Sequence, residues 1–159
     1  MDRDLSELSK ALTFIKEIGS KYAYNKICKM DEDTLENYRT LLNELTELNS
    51  YTGKEYDKLR GKKLEELVTV LLESSGGIFK VMQNIRTSTN EIDQVITLSQ
   101  TGKILKNNGI INNKFDLFLG ECKNYNRKLN VTYVGKFCSL LLTSNIKLGI
   151  IFSIKGLSG

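Results

Sequence analysis

Apolar positions in the first half of the chain recur at three- and four-residue steps. Leu5, Leu8, Leu12, Ile15 and Ile18 draw one stripe, which predicts a helix stopped at Gly19. Asp31 or Asp33 can cap a second helix, whose stripe is Leu35, Tyr38, Leu41, Leu42, Leu45 and Leu48. That helix should end near Asn49–Gly53. A third is expected from Lys54 to Glu73, with Leu64, Leu67, Val68, Leu71 and Leu72 on one face and Ser74-Ser75-Gly76-Gly77 as its stop.

The period then shortens from about 3.6 to 2. Ile78–Ile85 is rich in strand-forming residues, Glu91–Leu98 alternates after the turn-like TSTN, and Phe115–Lys123 reads as a third strand. Between the last two, residues 99–114 read as a polar connection. Val131–Ser144 returns to helical spacing through Val131, Val134, Phe137, Cys138, Leu141 and Leu142. Leu148–Ile154 is a β-branched run suited to a strand buried on both faces. The order predicts an α/β fold. Three strands form an antiparallel meander, and a right-handed helical crossover sets the fourth parallel to the third in a mixed sheet. Residues 1–55 form an N-terminal helical region and residues 56–159 the sheet domain.

Composition narrows the chemistry. The 159 residues include no Pro, no Trp and no His. Without imidazole there is no Ser-His-Asp or Cys-His nucleophile, no His-ligated metal and no histidine base. Carboxylates, lysines, hydroxyls and a hard metal ion remain. Any pH dependence near neutrality must then come from activated water or a perturbed lysine. The net charge of +4 is unevenly spread: residues 1–60 hold ten basic and twelve acidic side chains, residues 61–159 thirteen and seven. A basic C-terminal part favours a polyanionic partner. Cys28, Cys122 and Cys138 are odd in number and lack C-x-x-C spacing, as expected of reduced thiols in a cytoplasmic protein. No signal-like or membrane-spanning run is present. Eighteen Lys and fourteen Asn against five Arg suggest an AT-rich bacterial or viral genome.

Two short pieces carry the candidate chemistry, EID at 91–93 and GECKN at 120–124. Residues two apart on a strand share a face, so Glu121 and Lys123 project together while Cys122 turns away. In a meander the start of the second strand lies beside the end of the third, which brings Asp93 toward Glu121. Two carboxylates with a lysine suit a Mg²⁺ site, with positions left open for water and a substrate phosphate.

From about Gly61 onward the chain resembles the PD-(D/E)xK nuclease superfamily, the restriction-endonuclease-like fold, and above all its Mrr-type branch. The resemblance rests on GKKLEELVTVLLES, NEIDQVI, GECKN, VTYVGKF and GIIFSIKG in that order. It implies an αβββαβ core, a Mg²⁺ cofactor (Mn²⁺ as substitute) and hydrolysis of DNA phosphodiesters in restriction or phage defence. Asp93 and Glu121 become metal ligands with the backbone carbonyl of Cys122, and Lys123 becomes the signature lysine. Glu65, in the pattern Gly61–Glu65, supports a second ion or the attacking water. Helix geometry favours Glu65 independently, since it borders the apolar face while Glu66 points to solvent. Lys136, Lys155 and Lys103 are weaker phosphate-contact candidates. The expected partner is DNA, double-stranded for preference, met by a homodimer, with the N-terminal helices in a structural, dimer-forming or partner-binding role and no membrane. Ile92 stands where the literal motif has Pro. Relatives usually continue past the last strand, so a domain cut from a longer protein is expected, ahead of a minimal version of the fold. The alternatives are an inactive relative used for nucleic-acid or protein binding, and a structure-specific DNase or RNase of the same fold.

Overall fold

The computed structural model describes residues 30–86, 91–125 and 127–158, with isolated helical positions before residue 30. Of the helix expected to stop at Gly19 only Thr13, Glu17, Gly19 and Lys21 are described, and all four are helical, so Gly19 is not its stop; the TSTN turn at 87–90 lies outside the described residues. The elements are α1 (Glu32–Leu48), α2 (Lys54–Glu73), β1 (Phe79–Arg86), β2 (Glu91–Leu98), α3 (Gln100–Asn107), β3 (Leu117–Lys123), α4 (Val131–Thr143) and β4 (Gly149–Ser153), with a 3₁₀ turn at Asn113–Phe115. Asp31 rather than Asp33 caps α1, accepting the Thr34 N–H at 2.7 Å.

The sheet order is β1-β2-β3-β4. β1/β2 and β2/β3 are antiparallel and β3/β4 parallel, as the meander and crossover require. Alternation along β3 divides the core in two. Cys122 faces α1 and α2, packing with Leu41, Leu45, Leu64, Leu67 and Val68. Leu119 faces the other way, into a cluster with Phe137, Leu140 and Leu141 of α4. The sheet thus lies between a helix pair and a single helix. Among the described residues no helix is long and apolar enough to cross a membrane.

Two expectations need correction. The segment 99–114 is not a plain polar connection: Ser99 caps α3 by accepting the Gly102 N–H, and the 3₁₀ turn delivers Phe115 beside Phe79 and Phe118. The helix lies so close to the sheet that a Cβ on Gly102 would sit 2.3 Å from the Ile78 carbonyl oxygen, and only glycine fits there. β4 is not buried on both faces either. Among the described residues it is an edge strand of the sheet, and each of its five residues is only half-buried.

Candidate functional site

The site forms where two strands part. β2 pairs with β3 only from Thr97↔Leu117 to Gln94↔Gly120, whereas β3 stays paired with β4 as far as Lys123↔Ser153. A regular ladder would continue to Asp93↔Glu121. Instead the Asp93 side chain bridges the gap, and its Oδ2 accepts the Cys122 N–H at 2.9 Å and a Lys123 Nζ hydrogen bond at 3.1 Å. An orphaned strand N–H is costly to leave unmet, so the carboxylate is fixed by the backbone itself.

Lys123 is the hub. Its Nζ also lies 2.8 Å from Glu121 Oε1, so one ammonium joins carboxylates from two strands. The three side chains are 14–23% exposed. Burial alone would push the Lys123 ammonium down. The hydrogen bond to Glu121 and the charges of Glu121 and Asp93 outweigh it and hold the group above the ordinary lysine range. A lysine titrating near neutrality is therefore not what this arrangement provides. Burial pushes the Glu121 carboxyl up, with Asp93 reinforcing the effect and Lys123 opposing it.

Glu65 joins from α2. Its carboxyl is raised by burial first and by the Asp93 charge second, against the attraction of Lys123 and a hydrogen bond from the Asn84 side chain. Glu66, one position on, instead pairs with Lys62 and Lys63 at the surface. The Cys122 thiol points into the α1–α2 core, and burial pushes it well up, so it is no nucleophile at neutral pH. Cys122 and Cys138 are both free.

Of the phosphate-contact candidates, Lys136 is exposed on α4 with its Nζ 6.0 Å from the Tyr133 ring centroid, and Lys155 is exposed just beyond β4. Lys103 is exposed on α3, which begins at the far end of β2, about 20 Å along the strand from Asp93. The structure does not bring it to the cluster.

Two residues that support the site are absent from the sequence reading. Gln94 is fully buried, and its amide donates to the Glu65 carbonyl at 3.1 Å and to Thr69 Oγ1 at 3.0 Å. It pins the Glu65 turn of α2 to the strand carrying Asp93. Gly120 makes room for it, since a Cβ there would meet Gln94 Oε1 at 2.8 Å. Asn84 adopts φ 53° within β1, a conformation uncommon for a non-glycine residue, and reaches Glu65. A polar residue at an inward position of EIDQVITL was a readable signal for Gln94. For Asn84 there was none.

The donor set can be tested against a hard metal ion. Mg²⁺ is usually held by one or two carboxylates and keeps several waters. Asp93 and Glu121 already share one cation, the ammonium of Lys123, and their oxygens converge from neighbouring strands. Among the described residues no group of three or more His, Cys, Asp or Glu is placed to hold a metal ion, so any ion rests on the two carboxylates. Two carboxylates with open positions fit Mg²⁺ and not a closed structural site.

A raised carboxyl pKa has a consequence for stability. The folded state binds that proton more tightly than the unfolded chain, so the contribution is present at low pH and lost as pH rises through the folded pKa. In metal-free buffer, Glu65→Gln should melt above wild type, by a margin that widens as pH rises from below the ordinary glutamate value of 4.5 toward neutrality. Thermal melts of both proteins across that range measure it, and a margin independent of pH would contradict the electrostatic account.

Comparison with known proteins returned no matching family model, no matching curated protein and no matching solved structure.

Proposed function

We propose that this chain is a Mg²⁺-dependent endonuclease hydrolysing DNA phosphodiester bonds, built on the restriction-endonuclease-like core that its sequence motifs resemble. One observation carries the proposal: Asp93, Glu121 and Lys123 converge where β2 and β3 separate, with Glu65 entering from the packed helix. The helix-first order and the mixed four-stranded sheet support it.

In this proposal Asp93 and Glu121 hold the ion, together with the Cys122 carbonyl that the resemblance implies. Bound there, Mg²⁺ would supply Lewis-acid polarisation of the phosphate. Lys123 remains an ammonium between the acids and donates hydrogen bonds to a phosphate oxygen, opposing the charge that builds there in the transition state. Glu65, with its carboxyl already pushed up, accepts at a carboxylate oxygen the proton of the water whose oxygen bonds to phosphorus, closer to the matched pKa of an efficient base than an exposed glutamate is. The P–O bond to one sugar oxygen breaks, and that leaving oxygen takes its proton from solvent water. Gln94 and Asn84 keep Glu65 facing Asp93. Pairing of two copies would set one such site on each strand of a duplex.

The test is a cleavage panel: duplex, single-stranded and branched DNA and RNA, each with Mg²⁺, Mn²⁺ and EDTA. Metal-dependent cutting of DNA is the expected result. Binding without cutting in either metal would instead favour a non-catalytic role for the fold, and cutting of RNA alone would reassign the substrate.

A further inference from the structure

Past Glu121 the chain carries no acidic residue at all, while Lys123, Arg127, Lys128, Lys136, Lys147 and Lys155 are basic. Beside the cluster, this stretch places two tyrosines together. Tyr125 and Tyr133 have ring centroids 5.4 Å apart, inclined by 47°. Tyr125 is 36% exposed, and it follows Lys123 by two residues. The charges of Lys123 and Glu121 both act on its hydroxyl, which lies near Tyr133. Lys136 stands near the Tyr133 ring, and Arg127, Lys128 and Lys136 are all exposed. Asn124, between Lys123 and Tyr125, is buried with its amide nitrogen unpartnered among the described residues.

We propose that Tyr125 and Tyr133 form a stacking shelf for an unpaired nucleobase of single-stranded DNA, with Arg127, Lys128 and Lys136 facing its phosphates. Aromatic faces interleaved with cations are how proteins hold single strands, because every base presents a π-face whatever its identity. A duplex hides those faces, so a shelf at this position selects strands that are single, frayed or opened at the nucleotide to be cut. The place of the shelf beside the cluster deepens the nuclease reading and rests on it. Base binding itself does not.

The test is anisotropy of a labelled twelve-nucleotide single-stranded DNA with the full chain in EDTA, where cleavage plays no part. Tyr125→Ala should weaken binding about tenfold, and Tyr133→Ala similarly. Tyr125→Phe, which keeps the ring and loses the hydroxyl, should stay within about twofold, and duplex affinity should change little. An abasic strand with the same phosphates should bind wild type as weakly as the intact strand binds Tyr125→Ala. That last comparison needs no variant, so a misfolded Tyr133→Ala leaves the proposal exposed to refutation. Equal binding of abasic and intact strands would overturn it, as would unchanged affinity in folded Tyr125→Ala. Tight binding of an RNA of the same sequence, with weak binding of the DNA, would overturn the assignment to DNA. Tyrosine-dependent binding without cleavage in the panel would sink the nuclease reading and leave the shelf standing. Metal-dependent cleavage with tyrosine-independent binding would do the reverse.

Discussion

Asp93→Ala should abolish nicking of plasmid DNA in Mg²⁺, with a loss of at least about 10²–10³-fold, the scale of removing one preorganised electrostatic group from an active site. Two functions end together in that variant. The carboxylate that shares a cation with Glu121 disappears, and the Cys122 N–H loses the acceptor that holds the parted strands in place. Lys123→Ala removes only the ammonium. Its loss of rate should be comparable, while its fold is kept, because Asp93 still accepts from Cys122. Asp93→Asn separates the two effects of the aspartate: the amide oxygen can still accept the backbone N–H, but the charge is gone. It should therefore melt closer to wild type than Asp93→Ala does and remain inactive. Melting curves beside a nicking assay decide this, and full activity in both Asp93→Asn and Lys123→Ala would remove these residues from the mechanism.

How much of this site could be read from the chain depended on how local its determinants are. Glu121 and Lys123 are two apart on one strand, so the pleat alone puts them together. Asp93 needed only one step of topology, and a meander is the simplest way to join three short strands. Glu65 over Glu66 followed from the angular step of a helix. What escaped were features set by contact at long range. α3 begins with an ordinary capping serine, but QTGKILKN is short and carries a glycine that sequence treats as a breaker; its real reason is the Ile78 carbonyl pressed against it. β4 has the composition of a central strand yet ends the sheet, since no later described strand pairs with it. The left-handed Asn84 lies in a run that otherwise reads as plain strand.

Arg60 is the furthest case of this kind, and its replacement should have the largest effect on stability. It sits in DKLRGKK, a charge run that reads as solvated surface, yet it is fully buried. Its guanidinium donates to the Leu48 carbonyl at 3.2 Å and the Tyr51 carbonyl at 2.6 Å, and it pairs with Asp57. Leu48 ends α1, whose last carbonyls are met by the N–H groups of Asn49, Ser50 and Tyr51 and whose last turn carries no basic residue. Arg60 adds a second donor at Leu48 and the missing charge, from little more than one turn ahead of Glu65 on the neighbouring helix. Arg60→Ala takes this donor from the Tyr51 carbonyl, leaves the Leu48 carbonyl with the Tyr51 N–H alone, strips Asp57 of its partner and opens a side-chain-sized void, and should cost about 3 kcal/mol. Arg60→Lys should recover only part of this, because a single ammonium cannot reproduce the spread of a planar fork. Urea unfolding measures both: a lowered midpoint at unchanged slope is the expected result, and a shift under about 1 kcal/mol for Arg60→Ala would mean that water replaces the guanidinium at little cost. Because α2 also carries Glu65 and is pinned by Gln94, a loosened α1–α2 turn should reach the site through that helix. Arg60→Lys should then lose cleavage rate in proportion to its lost stability, and both should be regained together at lower temperature.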